Sequence, residues 1–202
     1  MRKDVDIVTA TTHPSSAVSS RTASRTGPAA MVSMATPETT AQRAARYVLA
    51  GVRLAIGWVF LWAFLDKLFG LGHGTAAAQA WIHGGSPTKG FLGKAVSGPF
   101  EGFYHSFAGA AWADWGFMIG LAGIGVALIA GVGMRIAATA GVVLLVAMWT
   151  AVLPPENNLF MDDHLIYAGV LVALALTAAG NTLGFGGSWS RLPLVQRLPW
   201  LR

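Results

Sequence analysis

Asp162, Asp163, His164 and Tyr167 stand together in "MDDHLIYAG", at the start of a long apolar run. A histidine beside carboxylates can pass protons near neutral pH, which is the chemistry required at the head of a quinone at the membrane edge. On a helix Tyr167 returns to the face of Asp163 and His164. Carboxylates that open a helix also cap its free N–H groups and complement its dipole, which accounts for one Asp without any chemistry. Asp66 is the other candidate carboxylate. It continues the row Trp58–Trp62–Asp66, so it shares a helical face with two indoles able to pack on a planar ring. The ordinary alternative is a side chain reaching the interface from the end of a span. His164, Asp163 and Asp66 are therefore the candidate proton-handling residues. Trp58, Trp62 and Tyr167 are the candidate contacts for a quinone.

A second chemistry is suggested by "GGSPTKGFL", Gly84–Leu92. Exposed backbone N–H groups at Gly84 and Gly85, hydroxyls at Ser86 and Thr88 and the ammonium of Lys89 suit a small oxyanion. The stretch is not a phosphate-binding P-loop, because its spacing differs and no Lys–Ser/Thr pair opens a helix after it. An ordinary turn is the competing reading. Arg53 lies inside an apolar run and needs a carboxylate, backbone carbonyls or an anionic headgroup. Asp66 is thirteen residues away, about 20 Å along a helix, so the two do not pair.

Cysteine is absent from the chain, which excludes Cys-ligated iron–sulfur clusters, c-type haem attachment and dithiol chemistry. Haem between spans requires histidines within them, and only His164 comes close. The histidines have no compact metal-ligand spacing, so no metal site is assigned. Electron transfer would then need a quinone, a partner subunit or another cofactor.

The elements that must position these residues are apolar. Only 11% of the 202 residues are charged, against about 25% in an ordinary soluble domain. Four stretches, Tyr47–Phe69, Trp115–Val132, Ile136–Leu153 and Leu165–Leu183, approach the ~20 residues that cross a hydrocarbon core of about 30 Å. Helices satisfy the backbone there. The expected fold is an all-α membrane protein, a four-transmembrane-helix bundle. Small residues four apart, at Gly51/Ala55, Gly116/Gly120, Ala137/Gly141 and Gly169/Ala173, are the expected helix contacts.

Lys and Arg near span ends set the orientation. Arg43, Arg46, Arg135, Arg191, Arg197 and Arg202 fall on one side, which is expected to be cytoplasmic and to hold both termini. The net charge of +5 is read as this topology signal, and no nucleic-acid partner is expected. The Gly70–Asp114 link is then a long external loop, with aromatic residues that suit short interfacial helices. Residues 1–42, rich in Ser, Thr, Ala and Pro, are expected to be a disordered cytoplasmic tail. Residues 43–189 form the membrane domain. Residues 190–202 alternate basic and apolar types and are expected to rest on an anionic lipid surface.

The segments "RLAIGWVFLWAFLDKLFG", "WIHGGSPTKGFL", "GPFEGFYHSFAG", "GLAGIGVALIAGVGMRIAATAG" and "NNLFMDDHLIYAGVLVALALTAAG" resemble the DoxX/DoxD-like membrane proteins, particularly the DoxD type. The resemblance covers roughly Arg53 to Trp189. It implies four membrane helices in the cell membrane and the role of membrane subunit in a thiosulfate:quinone oxidoreductase. The partners it implies are lipids, membrane quinone and other subunits of a respiratory complex. A non-catalytic accessory subunit of such a complex is the competing expectation, because the chain has no redox group of its own.

Overall fold

The computed structural model describes residues 37–156 and 158–201. The expected tail over residues 1–42 lies outside the described residues up to residue 36, and its end is helical instead, with Thr39 capping a helix that starts at Thr40. All regular structure among the described residues is helical. Helix α1 is Thr40–Phe69, α2 is Glu101–His105, α3 is Ala111–Ala130, α4 is Met134–Ala151 and α5 is Asp163–Leu176. Two short helices follow, α6 (Gly186–Trp189) and α7 (Pro193–Arg197).

Helix α1 opens on a reciprocal cap. The Gln42 N–H donates to Thr39 Oγ1 at 3.2 Å, and the Thr39 N–H donates to Gln42 Oε1 at 2.8 Å. This satisfies two donors that a helix start otherwise leaves open. Gly70 ends α1 in the left-handed region, with φ 66°. Three helices, α1, α3 and α4, are long and apolar enough to cross a membrane. The protein is thus an all-helical membrane protein whose apolar helices contact lipid.

The fourth apolar stretch behaves differently. Its helix stops at Leu176 instead of running to Leu183. At fourteen residues it is about 21 Å long, short of a typical hydrocarbon core. Beyond it, Ala178 and Leu183 adopt positive φ, 50° and 52°, a region that residues with a Cβ seldom occupy. Arg53 meets the chain there. Its side chain is fully buried, and no carboxylate among the described residues reaches it. Nη1 donates to the carbonyls of Leu128 and Ile129 at the end of α3. Nη2 donates to those of Thr182 at 3.2 Å and Leu183 at 2.8 Å. The turn after α5 thus presents two carbonyls to the cation, as the last turn of α3 presents two more. The cation also sits at the negative end of the α3 dipole. Phe185 N–H donates to Ala130 O at 2.8 Å and closes the same turn.

One core joins α1, α3, α4 and α5 through Ile56, Phe60, Leu121, Leu128, Leu145, Leu171 and Leu174. Close backbone approaches between α1 and α3 fall at glycines outside the expected four-residue steps. A Cβ on Gly125 would lie 2.7 Å from the Leu61 nitrogen, and one on Gly57 would lie 3.0 Å from Leu128 Cβ. Of the expected steps, Gly141 does pack tightly, against Leu171, whereas Gly51, Gly116 and Gly169 have open space where a Cβ would stand. The spacing identifies small residues, but which face meets a neighbour depends on helix rotation. Gly125→Ala should therefore destabilise the protein by about 1–3 kcal/mol through overpacking, while Gly116→Ala should be neutral or slightly stabilising. Thermal unfolding of both variants in detergent checks this, and equal melting temperatures would contradict the α1–α3 contact.

Candidate functional site

The segment from Gly70 to Ala110 folds over the ends of α1, α3 and α4 through buried polar anchors. The first is Asp66, 3% exposed, which accepts the His73 N–H at 3.1 Å. The His73 ring stands edge-on to Trp62 at 5.3 Å, and Trp62 lies 5.8 Å from Trp58. The expected face of two indoles and a carboxylate therefore exists. It holds a turn in place, and Trp58 is half exposed.

The second anchor is Asp114, buried in the first turn of α3. A single oxygen, Oδ1, accepts from Ser86 Oγ at 2.9 Å, Thr88 N–H at 2.9 Å and Thr88 Oγ1 at 2.6 Å. Thr88 Oγ1 also accepts the Gly109 N–H at 3.1 Å. The hydroxyls of "GGSPTKGFL" are thus committed to a carboxylate of the chain itself. Its glycines have local reasons too. Gly84 ends the 3-10 turn Trp81–His83 with φ 84°, and a Cβ on Gly85 would collide with the Gln79 carbonyl. Nothing local signals Asp114 as the partner, because it lies 26 residues from Thr88.

Lys89 remains for an anion, and it has company. A cavity of about 550 Å³ is lined by Lys67, Lys89 and Lys94, with Thr75, Gln79 and Ser86 as further polar side chains. No acidic side chain lines it among the described residues. None of the three lysines has a carboxylate within ion-pair distance there. Lys67 lies over the Phe117 ring, 5.9 Å from its centroid. Lys67 and Lys94 are not among the residues that the sequence nominates for binding. The first sits at the end of α1 and the second in the helical turn Phe91–Ala95, so only folding brings them to Lys89.

A second cavity, of about 330 Å³, adjoins the first. Its walls are apolar and largely aromatic, with Phe103 and Phe107 from the loop region, Trp112 from the first turn of α3 and Leu144 and Ala147 from α4. Pro87, Phe91, Phe117 and Met148 line both cavities. Tyr104 lines the apolar chamber, and its hydroxyl donates to Ala147 O at 2.8 Å. The hydroxyls of Thr88 and Tyr104 are both engaged, so a planar guest there would be held by packing.

The Asp162–His164 cluster lies elsewhere. Asp162 is the N-cap of α5 and accepts the Leu165 N–H at 3.3 Å. His164 Nδ1 is 2.7 Å from Asp162 Oδ2 and 3.5 Å from Asp163 Oδ1. Asp162, 12% exposed at its side chain, is the close partner, while Asp163 is 68% exposed. The capping residue and the histidine's partner are thus the same side chain, with its two oxygens divided between the tasks. The three side chains could also offer ligand atoms to a metal ion within 4.8 Å of one another. Neither His164 nor Tyr167 is in the walls of the two cavities, nor are Trp58 and Trp62. No family model matches this chain, and no curated protein or solved structure does so either.

Thr88→Val keeps the shape but removes one donor and one acceptor from the Asp114 network, and should cost about 2 kcal/mol. Lys89→Gln, with its ammonium unpaired, should leave stability unchanged. Unfolding curves in detergent separate the two. Equal stability of Thr88→Val and the parent would mean that Asp114 does not hold the loop.

Proposed function

We propose that this protein is a membrane subunit of a quinone-linked respiratory oxidoreductase of the DoxD type, with a small sulfur oxyanion such as thiosulfate as electron donor. The observation that carries the reading is the pair of adjoining cavities. One gathers three ammonium groups without a carboxylate, which suits a doubly charged anion. The other is apolar and aromatic, which suits a planar ring and its isoprenoid tail. Their common wall at Phe91, Phe117 and Met148 brings the two guests close together.

In this reading Lys67, Lys89 and Lys94 bind and orient the anion, and the aromatic walls exclude water from the neighbouring chamber. A bound quinone would supply the electron acceptor. His164 with Asp162 as its oriented partner, and Asp66 and Asp163, stand outside both chambers and would pass protons between the bulk phase and the quinone through intervening water. Helix α5 with the turn that follows it serves as a fourth crossing. Both termini then lie in the cytoplasm, and the Gly70–Ala110 segment with its cavities faces outward, following the Arg asymmetry.

A non-catalytic accessory subunit is the second reading. It is favoured by the open faces at Gly51 and Gly169, where a methyl group in place of the glycine hydrogen would meet nothing within 4 Å. Such faces suit close docking of helices from other subunits.

The two readings separate in membranes carrying the native complex. Lys89→Gln with Lys94→Gln should raise KM for thiosulfate at least about tenfold, as expected for removing charged contacts of about 1.5–3 kcal/mol each. Asp162→Asn keeps the cap but loses the charge. It and His164→Gln should each lower quinone-linked turnover at least about tenfold, the low side of the range for general acid–base groups. Unchanged turnover and KM in all of these, at matched protein levels, would leave only the accessory reading.

A further inference from the structure

We propose that Gly186–Leu201 is a membrane-surface foot that binds anionic phospholipid headgroups at the Arg53 end of the bundle. The first observation is its place. Arg135, in the first turn of α4, donates from Nη1 to Pro199 O at 3.1 Å. Trp189 Nε1 donates to Leu201 O at 2.6 Å, and Val195 is buried. The segment is therefore tied back on itself and held beside the start of α4. Helices α3 and α4, both able to cross a membrane, meet there through the three-residue link Gly131–Gly133. A segment fixed at that level lies where a bilayer passes from hydrocarbon to headgroups.

The second observation is what the foot leaves uncovered. Leu194 is 62% exposed and Trp200 59%, with Leu192 and Leu198 also open. Water disfavours such a surface, whereas a headgroup layer accepts an indole and apolar side chains on one side and cations on the other. The third is charge. Arg191 and Arg197 are exposed and have no carboxylate partner among the described residues. Residues 164–202 contain no Asp or Glu at all. The contrast at the same end is Arg46, whose Nε lies 2.6 Å from Glu38. A surface with unpaired Arg interleaved with Leu and Trp is complementary to anionic lipid. A protein partner would have to present both acid and a matching apolar groove. Each Arg near such a lipid surface strengthens attachment about fivefold.

The absence of cysteine makes the test specific. Leu194→Cys in the full chain gives a single site for a nitroxide label, and Trp200→Cys gives an independent second one. Each is reconstituted into phosphatidylcholine vesicles with and without phosphatidylglycerol. Accessibility to oxygen and to a water-soluble nickel chelate is then read by power saturation. With phosphatidylglycerol both labels should be shielded from nickel and open to oxygen. Arg191→Gln with Arg197→Gln should abolish the dependence on phosphatidylglycerol. Nickel accessibility equal to that of an aqueous label in both vesicle types would overturn the proposal and point to a protein partner. Equal shielding in neutral vesicles and in the Arg variant would overturn its electrostatic part.

Discussion

A guanidinium with no carboxylate partner among the described residues organises one end of this bundle. Arg53 is buried among helices that are apolar enough to lie in lipid, where an unpaired charge is costly. Its solution is four carbonyls from two places, the last turn of α3 and the turn at Thr182–Leu183. A planar fork with five donors can span such a set, and an ammonium cannot. The geometry then dictates its surroundings. A Cβ on Gly131 would come within 2.8 Å of Arg53 Nη1, and one on Gly184 within 3.2 Å of Nη2. The glycines at these positions leave room for the fork where the chain returns past it.

The opposite end is organised by carboxylates in the same spirit. Asp66 and Asp114 are buried and take their hydrogen bonds from the loop between α1 and α3. Both accept N–H or O–H donors, and neither has a lysine within ion-pair distance among the described residues. That arrangement has a functional consequence. Lys67, Lys89 and Lys94 stay unpaired among the described residues and gather around one cavity, instead of being consumed by the acids that fix the loop. The polar anchors and the basic cavity are two results of one allocation of charge.

Much of the architecture is legible from hydropathy alone. The three long apolar runs form α1, α3 and α4, with α3 and α4 matched to within four residues and α1 starting seven residues earlier at its Thr39 cap, because about twenty apolar residues in one helix are a local property of the chain. The fourth run forms a shorter helix followed by a turn whose partner, Arg53, lies 129 residues from Thr182, a contact that hydropathy does not signal. Arg53 itself is recognisable as a residue needing partners, and carbonyls are among the choices. The site is less legible. "DDH" is visible as a cluster, but the histidine's partner is the capping Asp162, because a helix N-cap points its side chain back over the first turn. "GGSPTKGFL" stands out for its donors, yet Asp114 takes them. Lys67 and Lys94 carry no local signal, as their convergence on Lys89 depends on how the loop folds over the bundle.

The claim that most of the fold rests on is the Arg53 clasp, and solid-state NMR of the protein in lipid bilayers tests it directly. With guanidinium nitrogens labelled ¹⁵N and leucine carbonyls labelled ¹³C, Arg53 should show strong dipolar coupling to the Leu128 and Leu183 carbonyls and none to lipid phosphorus. Coupling of Arg53 to phosphorus, with no carbonyl contact, would make it a headgroup anchor and contradict the clasp.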